Sequence, residues 1–256
     1  MINNWLFSGD THGQLVRFHY LNQEIYKPEE TAIIVLGDFG ANYYLDNRDI
    51  RLKRLAARLG YTFYVVRGNH EARPQSIKTM NSIYDEEVKN FVYQEEEFPN
   101  IKYLIDFNVY KINGLSTLVL GGAYSVDKAY RLAKGWQWFE NEQLSAEEMN
   151  NFTETLKAKS NKPYYDLVLT HTCPLSKQPR ELFLSMIDQT TVDNSMEKWM
   201  EDIFDKYFTY HIHLFGHYHA DKIVDYKTIM LYEKILSLQD LNRFLETGEI
   251  PNGFYY

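Results

Sequence analysis

The sequence has few of the features of a secreted, membrane-bound or duplex-binding protein. Its single cysteine, Cys173, excludes an intrachain disulfide framework and suits a reducing compartment. The first residues lack the basic and apolar regions of a signal peptide. No apolar run approaches the roughly 18 residues that a membrane helix needs. We therefore expect a cytoplasmic protein with no membrane partner.

Clustered positive charge and linker-like segments are also absent. The formal net charge is -8, whereas nucleic-acid-binding surfaces usually concentrate Lys and Arg, so duplex nucleic acid is not expected as a partner. No Gly/Ser/Pro-rich linker or internal repeat interrupts the 256 residues, of which 45% are hydrophobic. That fraction suffices for a core, and we predict a single domain over residues 1–256.

Short apolar runs that end in polar clusters recur along the chain and predict buried strands. These runs are Trp5–Phe7, Ala32–Leu36, Phe63–Val66, Leu167–Leu169 and Ile212–Phe215. Arg48–Leu59 has helical periodicity and is followed by Gly60, a typical helix stop. Alternation of strand and helix indicates parallel pairing, and ligands of such sheets bind beyond the carboxyl ends of the strands. The polar clusters fall at that edge.

The middle of the chain predicts a partly antiparallel second sheet. Val109–Ile112 and Leu115–Leu120 flank Asn113-Gly114, which favours a tight hairpin turn. Ile223–Asp225 and Ile229–Tyr232 indicate another hairpin. The acidic segment Asp85–Glu97 is interpreted as a solvated helical face.

Five of the 8 histidines directly follow the apolar runs or their polar clusters, namely His12, His70, His171, His217 and His219. His19, His211 and His213 lack this context and are interpreted as structural or surface residues. Asp10 and His12, like His217 and His219, are spaced so that extended backbone would project both side chains to one side. Mixed Asp and His donors favour transition metals such as manganese, iron or zinc.

Taken in order, these motifs resemble the calcineurin-like metallophosphoesterase superfamily. The motifs are Gly9-Asp10-Thr11-His12-Gly13, Gly37-Asp38, Gly68-Asn69-His70-Glu71, His171 and Gly216-His217-Tyr218-His219. The segments 9–14 and 67–71 look most like the Ser/Thr phosphoprotein phosphatase branch. The resemblance implies an α/β fold, a four-layer α-β-β-α sandwich with two mixed β-sheets flanked by helices.

The resemblance also implies a site for two transition-metal ions. One ion would be bound by Asp10, His12 and His219, and the other by Asn69, His171 and His217, with Asp38 bridging both. His70 would protonate the leaving oxygen. Glu71 is expected either to orient His70 or to lie in the first turn of a following helix.

One departure concerns phosphate binding. After Gly37-Asp38 the phosphoprotein phosphatases continue with an Asp-Arg-Gly element, whereas this chain reads Phe39-Gly40-Ala41-Asn42-Tyr43-Tyr44. Protein-phosphatase activity is therefore not carried over. Arg73, Arg131 and Arg67, in that order, are candidates for the missing arginine, although each also suits a structural ion pair.

The segment 121–131 resembles a loop of bacterial and phage members of the superfamily and is a candidate for substrate contacts. Trp136, Trp138 and Phe139 would either wall the cleft or pack in the core, and the core is the favoured interpretation.

The function predicted is hydrolysis of a phosphomonoester by attack of a metal-bridging hydroxide. Phosphorylated small molecules, nucleotides and phosphoproteins are all open as substrates. Two alternatives remain: a phosphodiesterase acting on a cyclic nucleotide or dinucleotide, and a non-catalytic metal-binding scaffold of the same fold.

Overall fold

The computed structural model describes residues 2–249 and 251. Its strands, in chain order, are β1 (Asn4–Ser8), β2 (Thr31–Val35), β3 (Thr62–Val65), β4 (Met80–Asp85), β5 (Asn90–Glu95), β6 (Ile101–Leu104), β7 (Val109–Ile112), β8 (Leu115–Leu120), β9 (Tyr164–Thr170), β10 (Thr209–Phe215), β11 (Lys222–Asp225), β12 (Thr228–Met230) and β13 (Ile235–Ser237). The α-helices are α1 (Val16–His19), α2 (Asn47–Leu59), α3 (Lys128–Lys134), α4 (Ala146–Lys157), α5 (Ser195–Lys206) and α6 (Leu238–Thr247).

The strands form two mixed sheets. Within the described residues, one sheet has seven strands in the order β13-β1-β2-β3-β6-β5-β4, and the other has six in the order β11-β12-β10-β9-β8-β7. β1, β2 and β3 are mutually parallel, as are β8, β9 and β10. Their carboxyl ends therefore lie along one edge of each sheet, as the strand-helix alternation predicts.

Hydrophobic clusters define the layers of the fold. Phe7 and Ile34 of the first sheet pack with Leu169 and Leu214 of the second in one buried cluster between the sheets. A second cluster joins the outer face of the first sheet to α2, and a third joins the outer face of the second sheet to α4 and α5. The predicted sandwich of two mixed sheets flanked by helices is thus confirmed.

Local sequence signals explain several element ends. Asp46 caps α2 by accepting a hydrogen bond from the Arg48 backbone N at 2.8 Å, and Gly60 ends the helix in a left-handed conformation with φ of 77°. In the hairpin between β7 and β8, Asn113 and Gly114 both have positive φ, 49° and 82°. These values fit the type I′ turn that the Asn-Gly pair predicts.

The acidic segment 85–97 differs from its prediction. It forms the turn and second strand of the β4–β5 hairpin instead of a helical face. Val88 and Val92 are fully buried against the cluster between the sheets, and this packing outweighs the helical tendency of the surrounding glutamates. None of the described helices is long and apolar enough to cross a bilayer.

Candidate metal centre

Loops from both sheets converge at the aligned carboxyl edges. The loops after β1, β2 and β3 place Asp10, Asp38 and Asn69 there from the first sheet. The loops after β9 and β10 place His171 and His217 there from the second sheet. The centre is therefore built across the junction of the two sheets.

Asp10, His12 and His219 form the first group of donor atoms close enough to share one metal ion. The Nε2 atoms of His12 and His219 lie 2.9 Å apart. Asp10 Oδ2 lies 3.8 Å from the first of these atoms and 3.4 Å from the second. This group coincides with the set that the resemblance implies for one ion.

Asp38 and His171, with Asp10, form the second such group. Asp10 therefore belongs to both groups. Asp38 Oδ2 lies 3.6 Å from His171 Nε2 and 3.9 Å from His12 Nε2, so it also approaches one histidine of each group, as the predicted bridging ligand should. Asn69 Oδ1 lies 2.7 Å from His171 Nε2. The His217 ring packs against that of His171 with centroids 5.0 Å apart.

The carboxylates leave buried oxygens without partners. Asp10 and Asp38 are each 1% exposed, and the Oδ2 atom of each has no hydrogen-bond partner among the described residues. Buried carboxylate oxygens are usually paired or bind metals. Four imidazoles surround these two atoms. The donor chemistry and the free oxygens therefore fit transition-metal ions.

The electrostatics also favour a positive charge at the centre. Burial alone would lower the pKa of His171, but the carboxylates of Asp38 and Asp10 raise it to about 9. Burial would raise the pKa of Asp38, yet His70 and His171 hold it well below its ordinary value. Burial lowers the pKa of His217 to about 3, which keeps its imidazole in the neutral, ligating form.

His171 is oriented by the neighbouring sheet. Its Nδ1 lies 2.7 Å from the carbonyl oxygen of Leu36, at the end of β2. A carbonyl can only accept, so Nδ1 donates to Leu36. Nε2 lies 2.7 Å from the Asn69 carboxamide oxygen, which is also an acceptor, and together with the raised pKa of His171 this contact places a proton on Nε2 as well. A metal ion would take the place of that proton.

The backbone at the ligands is not extended, so the predicted i, i+2 geometry is wrong. His12, Asp38, His217 and His219 all have positive φ, between 45° and 69°. Non-glycine residues rarely adopt this conformation, and it concentrates at functional sites. The chain turns sharply after each strand and brings the side chains back over the sheet edge, whereas extended backbone would carry them away.

Glycines permit close approach between the loops. A Cβ atom on Gly68 would lie 2.0 Å from Asp38 Oδ1, and one on Gly216 would lie 2.3 Å from Asp10 Oδ1. Both distances are far inside van der Waals contact. The glycine that precedes Asn69 and the one that precedes His217 therefore leave room for carboxylates held by other loops.

We expect Gly68→Ala to fold with reduced stability and to lose most of its bound metal, because the new methyl group must displace Asp38. Elemental analysis and thermal unfolding of the purified variant would measure both effects. Gly248→Ala is the control for lost stability without a clash, since its φ of 72° strains an alanine but a Cβ there meets open space at the end of α6, so its metal content should not change. Full metal occupancy in Gly68→Ala would contradict the close-approach argument.

His70 lies beside the two groups, with Nε2 4.0 Å from Asp38 Oδ2. Its backbone N donates to Asp38 Oδ1 at 2.8 Å, which fixes the turn that carries the ring. Burial lowers the pKa of His70, the Asp38 carboxylate opposes this shift, and the Arg131 guanidinium adds to it. Arg131 Nη2 lies 3.4 Å from His70 Nε2.

The three candidate arginines differ in their surroundings. Arg131 faces a cleft of about 590 Å³ that His12, Asp38 and His70 also line. Its Nε donates to Asp127 at 2.8 Å and its Nη1 to the Tyr43 hydroxyl at 2.9 Å, which leaves Nη2 directed at His70. Tyr43 belongs to the segment that replaces the Asp-Arg-Gly element.

Arg73 and Arg67 are engaged elsewhere. Arg73 is 7% exposed and donates to the Glu148 carboxylate and to the carbonyl oxygens of Asn141 and Gln143. Arg67 is 2% exposed and donates to the Asp106 carboxylate and to the backbone carbonyl oxygens of Glu142 and Gly121. These contacts do not favour Arg73 as the first candidate for the phosphate-binding arginine. The residues after Arg73 form a single 3₁₀ turn, Pro74–Ser76, and not the expected helix start.

Glu71 has neither of its expected roles. It is buried, and its Oε1 accepts hydrogen bonds from the backbone N atoms of Gly40 and Ala41, at 2.6 and 2.9 Å. The elements that directly follow it are the 3₁₀ turn Pro74–Ser76 and β4, so it is not in the first turn of an α-helix. Burial raises its pKa to about 8. The contacts show that Glu71 stabilises the loop that carries Asp38.

The segment 121–131 positions Asn69. Ser125 Oγ accepts a hydrogen bond from Asn69 Nδ2 at 2.8 Å and donates to Glu142 Oε2 at 2.5 Å. The amide nitrogen is thereby turned away, and the amide oxygen points into the centre. Glu142 was not predicted from the sequence, because a glutamate in a polar run carries no signal of a partner 17 positions earlier.

The aromatic residues near α3 differ from their favoured interpretation. Trp136 is 53% exposed and lines the cleft beside Arg131. Trp138 and Phe139 are partly buried but belong to none of the core clusters. Packing in the core is therefore wrong for all three, and Trp136 walls the cleft.

Two mixed sheets that hold a cluster of Asp, Asn and His side chains at their common edge define an α/β sandwich with a candidate metal centre. Residues 5–221 match the family model described as calcineurin-like phosphoesterase. The chain belongs to this family, whose members are metal-dependent phosphoester hydrolases that use divalent ions.

Solved structures of similar fold include the phosphopantetheinyl hydrolase of Mycobacterium tuberculosis, at 13% identity and a TM-score of 0.43, with 94% of this chain and 92% of that chain covered. The calcineurin-like phosphoesterase YfkN of Bacillus subtilis matches at 13% identity and a TM-score of 0.41, with 92% and 84% covered. A comparison with curated protein sequences found no match.

Proposed function

We propose that the protein is a phosphatase that hydrolyses a phosphomonoester with two transition-metal ions. The observation that carries this proposal is the pair of buried, unpartnered oxygens, Asp10 Oδ2 and Asp38 Oδ2, among the imidazoles. The proposed ligands are Asp10, His12 and His219 for one ion, Asn69, His171 and His217 for the other, and Asp38 for both. When bound, the ions supply Lewis acidity and activate a water molecule at neutral pH.

The protein side chains supply the remaining steps. His70 borders the centre and carries a ring nitrogen that can donate a proton to the departing alkoxide. Arg131, on the cleft side of His70, offers Nη2 to a non-bridging phosphate oxygen. The Tyr43 hydroxyl and the Asp127 carboxylate hold the guanidinium in place, so little side-chain entropy is lost when phosphate binds.

A monoester is preferred because Arg131 adds a positive charge beside an already cationic centre. A terminal phosphate carries more charge than a diester and gains more from that guanidinium. Among monoesters we propose a small molecule or nucleotide in preference to a phosphoprotein. The motifs at 9–14 and 67–71 support the protein-phosphatase likeness, but aromatic residues replace its Asp-Arg-Gly element.

We expect Arg131→Ala to lower kcat/KM on a phosphomonoester by about 10- to 100-fold with the metals still bound, since a charge-assisted hydrogen bond is worth roughly 1.5–3 kcal/mol. Activity on a phosphodiester should fall much less. Steady-state kinetics and elemental analysis would measure these effects. Arg48→Ala is a matched control, because Arg48 lines the same cleft but is paired with Asp46 and stacked on Tyr44. Unchanged monoester kinetics in Arg131→Ala would contradict the role.

A substrate screen tests the proposed function directly. Manganese-loaded protein would be assayed with mononucleotides, phosphopeptides, dinucleoside polyphosphates and cyclic nucleotides. Release of inorganic phosphate from monoesters at the highest kcat/KM is expected. Higher kcat/KM on the diesters would show that the protein is a phosphodiesterase and contradict the proposal. If no class of substrate is turned over, a non-catalytic metal-binding scaffold is favoured.

The phosphodiesterase is the second candidate, and one observation favours it. Two separate cavities, of about 590 and 510 Å³, meet at Asp38 and His70 from different directions. A diester has two ester groups, and each cavity has room for one of them.

A further inference from the structure

The second of these cavities, called the apolar pocket below, shares Asp38 and His70 with the cleft that Arg131 lines, and its other lining residues are different. It has a volume of about 510 Å³ and reaches Asp38, Asn69 and His217 at its inner end. Aliphatic and aromatic side chains form its walls, among them Val126, Leu182, Phe183, Leu184, Ile187 and Val192. The pocket thus joins a charged metal centre to a largely apolar wall.

Apolar side chains around the mouth of this pocket remain open to solvent. Leu182 is 44% exposed, Leu184 is 57% exposed and Val126 is 43% exposed. Single exposed apolar residues are ordinary on protein surfaces, but several of them around one opening mark a binding site. An apolar ligand would remove this surface from water.

A polar group also borders the pocket. Glu197 of α5 lines it and is 3% exposed. Its Oε1 accepts a hydrogen bond from Thr172 Oγ1 at 2.9 Å, whereas its Oε2 has no hydrogen-bond partner among the described residues. None of the described Lys or Arg side chains forms an ion pair with it. A buried carboxylate oxygen in this state can accept a hydrogen bond from a ligand.

We propose that the apolar pocket binds the alcohol portion of the substrate, and that this portion is an apolar chain or ring with a hydrogen-bond donor at its far end. The phosphate lies at the metal centre, the apolar body lies between Phe183 and Val126, and the donor reaches Glu197 Oε2. This inference rests on the proposed function for the position of the phosphate. It adds the substrate class, an amphipathic alcohol.

Binding of alkylphosphonates tests the pocket without hydrolysis, because their P–C bond is not cleaved. Titration calorimetry on the manganese-loaded protein would compare methyl-, butyl- and hexylphosphonate. We expect affinity to rise about 3- to 4-fold per methylene, the ratio that burial of each CH₂ in an apolar site gives. Equal affinity along the series would overturn the proposal.

The donor preference is tested by Glu197→Gln. At pH 8, above the value of about 7 to which burial raises the pKa of Glu197, binding of an amino-terminated alkylphosphonate should weaken about 10- to 100-fold in this variant, the range for a hydrogen bond between charged groups. Binding of the methyl-terminated phosphonate of equal length should be unchanged. Glu201→Gln is the matched control, since Glu201 lies one turn later on α5 and accepts from the Ser176 backbone N. If Glu197→Gln weakens the binding of both phosphonates equally, Glu197 does not bind the terminal donor.

The apolar wall is tested by Leu184→Asp. The charge should weaken hexylphosphonate at least about 10-fold and leave methylphosphonate unchanged, because burying an apolar chain against a carboxylate loses the transfer free energy. Leu132→Asp is the control, since Leu132 is similarly exposed, at 54%, but lines neither cavity. If both variants bind hexylphosphonate with equal affinity, Leu184 does not line the part of the pocket that binds the alkyl chain.

Hydrolysis of p-nitrophenyl phosphate, measured separately, distinguishes a failure of the pocket proposal from a failure of the proposed function. Turnover of this substrate without any chain-length effect on phosphonate binding would refute the pocket and leave the proposed function intact. A chain-length effect that responds to Glu197 and Leu184, without turnover of any phosphoester, would support the pocket and refute the hydrolase.

Discussion

Asp38→Ala is expected to retain less than about one metal ion per chain in place of two, and to lose turnover of p-nitrophenyl phosphate at least about 100-fold. Loss of residues that merely support metal ligands already costs about 10- to 100-fold, and a bridging ligand should cost more. Asp38 Oδ2 lies within 4.0 Å of the Nε2 atoms of His12, His70 and His171, so it approaches a histidine of each donor group and the proposed acid. Asp10 is a member of both groups as well, and Asp10→Ala is the comparison for a second shared carboxylate. Elemental analysis and steady-state kinetics would measure the two effects.

His219→Ala provides the comparison, because this side chain is 49% exposed and belongs to one donor group. It should lose one ion more readily than the other. Asp38→Asn separates charge from shape, since its carboxamide can still accept from the His70 backbone N. Circular dichroism would verify that each variant is folded. Two ions per chain in folded Asp38→Ala would remove the bridging assignment.

His70→Ala is expected to keep its metals and to lose about 10²- to 10⁴-fold in kcat on alkyl phosphates, the usual worth of general-acid catalysis. The loss on p-nitrophenyl phosphate should be less than about 10-fold, because nitrophenolate departs without a proton. The metals should remain because the hydrogen bond to Asp38 comes from the His70 backbone N, which alanine retains. Kinetics with both substrates and metal analysis would test this.

A matched variant is His19→Ala, which removes an exposed imidazole at the end of α1. It should match the unmodified protein on both substrates. Equal losses on alkyl and aryl phosphates in His70→Ala would exclude proton donation as its role. A loss of metal in the same variant would instead make His70 a part of the metal-binding site.

The edge that carries the site could be predicted because its signals are local. An apolar run followed by Gly-Asp or Gly-Asn predicts where a buried parallel strand ends, and the carboxyl ends of neighbouring parallel strands must lie together. Asp10, Asp38 and Asn69 follow three adjacent strands of one sheet. His171 and His217 follow two adjacent strands of the other.

The choice among the arginines could not be predicted, since it depends on distant partners. Arg73 is occupied by Glu148, which is 75 positions away, and Arg131 is brought to the centre by packing of α3 beside Tyr43. Proximity of Arg73 to His70 in sequence favours Arg73, whereas the backbone after Glu71 carries its guanidinium towards Glu148 of α4. Neither partnership leaves a periodic or local signal.

The backbone conformation at the candidate ligands could not be predicted from the sequence either. The spacing of Asp10 and His12 fits an extended segment as well as it fits a turn, and the positive φ of His12 follows from contacts of the loop with residues 38 and 39. The hairpin at 85–97 illustrates the same limit, because the burial of Val88 and Val92 that favours a strand depends on β7 and the opposite sheet.

The placement of the centre across two sheets bears on when, during synthesis of the protein, metal is acquired. The hydrogen bond from His171 to Leu36 joins side chain and backbone that are 135 positions apart, and the proposed ligands extend from residue 10 to residue 219. A ribosome-bound chain that has formed only β1 to β6 would present Asp10, His12, Asp38 and Asn69, a set with three oxygen donors and one imidazole. Oxygen-rich sets favour magnesium or calcium over transition metals. The other three histidine ligands, His171, His217 and His219, arrive later, so selection of the transition metal would be nearly the last step of maturation.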